Sequence, residues 1–164
     1  MIKIRKANIK DIKAINDIYN TVVKNLNATM DIKPKPLEEQ KLWFKEYKEN
    51  KLSVIVAELN DKVVGWASLS KWSLKEGYKY TVEDSIYVDN KYQGKGIGTK
   101  LLEQLIKKAK ENDYKNLIAQ ISEGNESSVK LHKNHGFEKI GTLKKVGYKF
   151  NRFHDISIYQ LEVR

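Results

Sequence analysis

Ile86-Tyr87-Val88-Asp89-Asn90-Lys91-Tyr92-Gln93-Gly94-Lys95-Gly96-Ile97-Gly98-Thr99 decides the reading of this 164-residue chain. Ile86, Tyr87 and Val88 end a strand, a loop with Gly at three alternate positions follows, and a helix begins at Gly98. That helix runs to Lys110 with Leu101, Leu102, Leu105, Ile106 and Ala109 on one face. Alternate glycines let the backbone turn so that successive N–H groups converge on one point. The point coincides with the electropositive start of the helix, a setting that suits a phosphate or pyrophosphate. Lys91 and Lys95 add charge at its rim. A Walker-type loop needs G-x-x-x-x-G-K-[ST], where this chain has Gly98-Thr99-Lys100. A dinucleotide fingerprint needs G-x-G-x-x-G in a βαβ unit, and neither spacing nor topology agrees. A plain strand-to-helix turn needs fewer glycines than this.

Working outward, Ile2 to Arg5 alternates like a short strand. Asn8 suits the cap of a helix carrying Ile12, Ile15, Ile18, Tyr19 and Val22. Lys33-Pro34-Lys35-Pro36 is a stiff connector before a helix over Leu37–Tyr47, whose apolar stripe reads Leu42, Trp43 and Tyr47. Ser53–Glu58 and Val63–Leu69 form a hairpin about Asn60-Asp61. Tyr80–Val88 is a long strand and Leu117–Ile121 a buried one. Asn125–His135 is a short helix stopped by Gly136, and Phe137–Thr142 and Ile156–Leu161 close the chain. The order is β-α-α-β-β-β-α-β-α-β-β. The hairpin-linked strands are antiparallel, and the helix crossover after the fourth strand makes the next one parallel. The expectation is a single α/β (α+β) domain over residues 1–164, a mixed, mostly antiparallel sheet flanked by helices.

Composition narrows the chemistry. With no Cys, a disulfide framework, a thiol nucleophile and a Cys-type zinc site are excluded. His132 and His135 stand at i and i+3, but no third ligand accompanies them, so no metal is expected. No apolar run reaches the length of a membrane span and the N-terminus does not read as a signal peptide, so a cytoplasmic protein is expected. The net charge is +10, yet only Arg5, Arg152 and Arg164 are Arg, and the Lys residues are scattered through every segment. Nucleic-acid readers lean on clustered Arg, so this surface reads as solvated, with the excess charge drawing an anionic small ligand.

The spacing Gln93-x-x-Gly96-x-Gly98 resembles the acetyl-coenzyme A loop of the GNAT superfamily of N-acetyltransferases. The likeness extends over nearly the whole chain to the phosphinothricin and methionine-sulfone N-acetyltransferase branch. It is carried by Ile18-Tyr19-Asn20, Trp43-Phe44, Val64-Gly65-Trp66-Ala67-Ser68, Tyr80-Thr81-Val82-Glu83-Asp84-Ser85, Asn125-Glu126-Ser127-Ser128, Leu131-His132, Val146-Gly147-Tyr148-Lys149-Phe150 and Arg152-Phe153-His154-Asp155. The resemblance implies a sheet splayed after strand 4, with acetyl-coenzyme A in the opening. Ile86, Tyr87 and Val88 would pair with the pantetheine arm. Gln93, Gly94, Lys95, Gly96, Ile97, Gly98 and Thr99 would hold the pyrophosphate. Asn125 and Ser128 would contact the pantetheine–phosphate portion, and Asn125 also suits a helix cap.

The reaction so implied is direct attack of an amine on the thioester, helped chiefly by alignment of the reactants. The amine arrives largely as ammonium and needs a base. Glu83 matches the family's acidic residue, and strand alternation sets it opposite Val82, Asp84 and Ile86. His132 stands where many relatives carry the residue that protonates the departing thiolate. No role is assigned to His154. The loop Asn27–Asp31 and the stretch Trp72–Tyr80 would wall the acceptor site, with Lys75, Tyr78, Glu83 and Ser85 as acceptor contacts. Here the chain departs from its relatives: Trp72-Ser73-Leu74-Lys75 replaces an Arg-containing motif, and Met30 stands where Phe is common. The acceptor implied is a small amino-acid-like amine, and the partner a second copy of the chain. A polyamine or protein N-terminus is the nearest alternative acceptor, though Lys71, Lys75 and Lys79 disfavour a polyamine. A non-catalytic coenzyme A or nucleic-acid binding module is the alternative of another class.

Overall fold

The computed structural model describes residues 1–164. Its elements are β1 (Lys3–Lys6), α1 (Ile12–Asn25), α2 (Leu37–Glu49), β2 (Val54–Leu59), β3 (Lys62–Lys71), β4 (Thr81–Val88), α3 (Ile97–Glu111), β5 (Asn116–Ser122), α4 (Glu126–Asn134), β6 (Glu138–Lys149) and β7 (Arg152–Glu162). The seven strands form one sheet in the order β1-β2-β3-β4-β5-β7-β6. Only β4 and β5 run parallel, so the expected mixed sheet is the one found. One apolar layer, with Leu101, Leu102 and Leu105 of α3 at its centre, fills one face. A second, built on Ile12, Ile15, Tyr19 and Trp66, packs α1 and α2 on the other. No helix is long and apolar enough to cross a membrane.

Local chemistry explains the elements. Asn8 caps a 3₁₀ turn over Ile9–Asp11 and not α1 itself: its side chain accepts from Lys10 N–H, and Asp11 accepts from Asn8 N–H. Asn60 and Asp61 both take positive φ, 51° and 59°, which two-residue hairpin turns demand. At Gly65 there is little room for a side chain beneath α3, since a Cβ there would stand 3.1 Å from the Tyr87 carbonyl oxygen and 3.3 Å from Ile97 Cγ2.

Two expectations change. Leu42 is 62% exposed, because Trp43 and Tyr47 occupy the inward face of α2 and Leu42 lies about 100° away from Trp43 around the helix. The closing strands are also far longer than expected. Residues 143–149 hold three Lys and a Gly and lack an inward apolar alternation. They belong to an arm whose outer side is open, with Leu143, Val146, Tyr148 and Phe153 exposed.

The feature that makes a site is the short β4–β5 ladder. It consists of Thr81↔Asn116, Val82↔Leu117 and Glu83↔Ile118 and stops there. Beyond it β4 stays paired with β3 as far as Val88, and β5 with β7 as far as Ser122. The two strands therefore diverge and leave a gap between Asp84–Val88 and Ala119–Ser122.

Candidate active site

The upper part of the gap is a cleft of about 470 Å³. Ile86, Tyr87 and Val88 form one wall, Gln93, Gly94, Gly96, Ile97, Gly98 and Thr99 the base, and Asn125 and Ser128 the opposite rim. Gly94 and Gly96 hold φ of 74° and 77°, a region other L-residues enter only with strain. Gly96 is the residue from which α3 starts. The backbone N–H groups from Gln93 through Thr99 make no hydrogen bond within the chain. A row of free donors at a helix N-terminus fits a pyrophosphate. The Asn125 side chain accepts from Ser128 N–H at 3.4 Å, so it caps α4 at the cleft's edge. Lys95 is not among the lining residues; its ammonium lies 5.2 Å from the Tyr92 ring centroid. The Gln93 side chain braces the loop through Asn90 Oδ1 at 3.1 Å.

A second chamber of about 240 Å³ continues the gap and shares Ala28, Ile86, Tyr87, Asn125 and Ser128 with the first. It contains Glu83, Ser85 and His132, as expected, together with three polar residues the sequence did not single out: Asp84, Gln120 and Ser122. Gln120 Nε2 donates to both Glu83 oxygens, at 3.1 and 3.2 Å, just past the last β4–β5 pair. Burial raises the Glu83 pKa, the Gln120 bond works against that, and the Asp84 charge adds to it. The outcome is a carboxylate shifted toward the range useful to a base near neutral pH.

His132 is placed differently from a free acid. Its Nδ1–H donates to the Ser128 carbonyl at 2.7 Å, and Nε2 meets Asp84 Oδ2 at 3.0 Å. His132 and Asp84 are 3% and 8% exposed. Burial opposes charge on the ring, but the hydrogen bond and charge of Asp84 outweigh it and raise the His132 pKa. Both ring nitrogens are engaged, Nδ1 with the Ser128 carbonyl and Nε2 with Asp84. The pair joins β4 to α4 across the opening. Alternation conceals this from the sequence. Asp84 is a charged residue on the apolar side of β4, and the only clue is its register with Val82 and Ile86.

Lys75 and Tyr78 line neither chamber. Lys75 is exposed and Tyr78 is 50% exposed, on a 3₁₀ turn in the connection beyond the far end of the β3–β4 hairpin. Of the two expected walls, the loop after α1 does line the second chamber, through Ala28, Thr29 and Met30. Tyr19 extends that wall by hydrogen bonds to Asp31 and, at 3.1 Å, to Thr29 Oγ1. No three His, Asp or Glu side chains group to hold a metal ion.

A sequence model of the acetyltransferase (GNAT) family matches residues 16–137. A curated relative, the L-methionine sulfoximine/L-methionine sulfone acetyltransferase of Pseudomonas paraeruginosa, is 36% identical over 161 residues, 98% of this chain and 94% of that protein. Among solved structures, a GNAT superfamily phosphinothricin acetyltransferase from Sinorhizobium meliloti in complex with acetyl-coenzyme A superposes with a TM-score of 0.96 at 32% identity, covering 99% of this chain and 88% of that one. A ribosomal-protein-alanine N-acetyltransferase from Brucella melitensis gives 0.96 at 39% identity, covering 98% and 99%.

Proposed function

This chain belongs to the GNAT acetyltransferase family and is an acetyl-coenzyme A-dependent N-acetyltransferase, and from that premise we propose that it acetylates the amine of a small amino-acid-like acceptor. Methionine sulfone, methionine sulfoximine and phosphinothricin define the acceptor class, in line with the relatives' names. The observation that carries the reading is one continuous gap with unlike ends. Free backbone donors lie at one end and a Gln120-held carboxylate at the other, with Ile86 and Tyr87 common to both chambers.

In this reading the Gln93–Thr99 turn grips the diphosphate of the acetyl donor. Glu83 receives the ammonium and takes its proton, directly or through one water. The freed nitrogen attacks the thioester carbonyl, the new C–N bond forms and the C–S bond breaks; the second nitrogen proton passes to solvent or to the departing thiolate, so that the products are the neutral amide and coenzyme A. A thiol of pKa about 8.5 leaves without a dedicated acid, which accords with His132 being engaged elsewhere. Release of free thiol from acetyl-coenzyme A in the presence of methionine sulfone, methionine sulfoximine or phosphinothricin is the expected result. Release only with spermidine or an Ala-terminated peptide would overturn the acceptor class; the Brucella relative makes the peptide the sharper control.

We also infer a homodimer, with the open side of the β6–β7 arm as the shared face. Tyr148 and Phe153 meet with their rings tilted by 59° and centroids 5.0 Å apart yet remain 53% and 58% exposed, and Leu143 and Val146 are exposed on the same arm. Aromatic strips of this kind are what homodimers bury. Sedimentation at twice the monomer mass is expected, and a monomer at every concentration would overturn it.

A further inference from the structure

We propose that acceptor selectivity is set from outside the chamber, by Lys149, a positioning residue at the end of β6 that holds the Leu26–Asp31 wall against the β6–β7 arm. The proposal rests on the reading that the chamber beside Glu83 takes the acceptor amine.

Lys149 is 3% exposed and forms no ion pair. Its ammonium donates to the Leu26 carbonyl at 2.7 Å and to the Thr29 carbonyl at 2.9 Å. Leu26 is the C-cap of α1. The cation therefore sits where the helix presents unpaired carbonyls and the negative end of its dipole. Burial lowers the Lys149 pKa and nearby Asp31 opposes that shift. The ammonium also lies 5.1 Å from the Phe150 ring centroid. A buried ammonium with no carboxylate bonded to it is costly, and what it secures here is the path of the loop.

Two further contacts hold the same loop. Asn27 Nδ2 donates to the Glu123 carbonyl at 3.0 Å and reaches His154 Nδ1 at 3.2 Å. His154, 1% exposed, donates from Nε2 to the Lys149 carbonyl at 2.9 Å, which leaves Nδ1 as the acceptor for Asn27. Gly147 makes room for Met30: a Cβ at that position would collide with the Met30 sulfur. Thr29 and Met30 face the acceptor chamber while their other sides rest on Lys149 and Gly147. The Gly147-Tyr148-Lys149 and His154 positions thus act on the site without entering it.

The test compares Lys149→Met with wild type in the full chain, using L-methionine sulfone and acetyl-coenzyme A. The KM for methionine sulfone is expected to rise about ten- to hundredfold, as misplacement of a reactant by an ångström does. The KM for acetyl-coenzyme A should stay unchanged. Lys149→Arg, which keeps donors at the carbonyls, should restore part of the loss. Asn27→Ala, a milder change that leaves Lys149 in place, should move the acceptor KM in the same direction. Hydrogen exchange should quicken at amides 27–31 in Lys149→Met and not along Ile15–Val23. An unchanged acceptor KM, or both KM values rising together with general loss of protection, would overturn the proposal. Absence of thiol release by wild type with every amino-acid analogue would sink the acceptor reading alone. The exchange pattern then decides the loop's attachment: local quickening supports it and uniform exchange refutes it.

Discussion

Glu83→Gln should lower kcat/KM for methionine sulfone by about two to four orders of magnitude, the usual share of a positioned base. The physical reason lies in two neighbours. Gln120 fixes the carboxylate from β5 where the ladder ends, and burial lifts its pKa. In wild type, activity should climb with pH through the raised Glu83 value, because only the ionised form accepts a proton. In the variant that climb disappears, and the remaining rate follows the free amine. Stability should move the other way. A carboxyl whose folded pKa is raised is most favourable below its unfolded value, about 4.3. It loses that advantage as pH rises toward its folded pKa, so a neutral amide costs nothing at pH 7. A variant that is folded, at least as heat-resistant, and catalytically crippled is the expected combination. Full turnover with an intact acidic limb would remove Glu83 from the chemistry.

His132→Phe should cost about 3–5 kcal/mol of stability, because it strands Asp84 as a buried, unpaired carboxylate. For a chain of this length that is a fall in melting temperature of roughly 6–20 °C. The pH dependence has a definite sign. The folded pKa of His132 lies above the unfolded value of about 6.5, so the pair contributes fully below that pH. It fades as pH rises through the raised folded value. Wild-type melting should therefore decline over that interval, and the variant should lack that decline. Asp84→Asn, nearly isosteric, should reproduce much of the loss. An unchanged melting temperature joined to a collapse of turnover would reinstate His132 as the proton donor.

The glycine turn before α3 was legible because its signals are local. Three alternate glycines before an amphipathic helix dictate a turn with free N–H groups, whatever the rest of the chain does. Two pairing directions were legible for a similar reason, since Asn60-Asp61 and the α3 crossover each fix one, whereas the place of β7 between β5 and β6 has no local signal. What escaped depends on contacts between distant residues. Gln120 lies on a strand whose inner face reads as plain core, yet the splay turns it toward Glu83, 37 residues earlier. Asp84 and His132 meet across 48 residues. Lys75 and Tyr78 were assigned from family position, but a connection at the far end of a hairpin takes its course from loop geometry that the sequence does not encode locally. The β6–β7 arm was shortened because an open, lysine-rich ladder lacks the alternation that betrays a half-buried strand.

Three residue pairs make up the only backbone ladder between the β1–β4 half of the sheet and the β5–β7 half. The sheet's shortest ladder therefore borders the candidate cleft. Side-chain bridges from Gln120 to Glu83 and from His132 to Asp84, and the core shared under α3, carry the rest of that junction, whereas each half is closed by long antiparallel registers. A donor lying in that cleft behaves as a missing rung, and at a hundred times its dissociation constant it would add about 2.7 kcal/mol to the folded state. Heat and ligand then pull on one coordinate from opposite ends, and the protein at rest without acetyl donor is also the protein most easily parted.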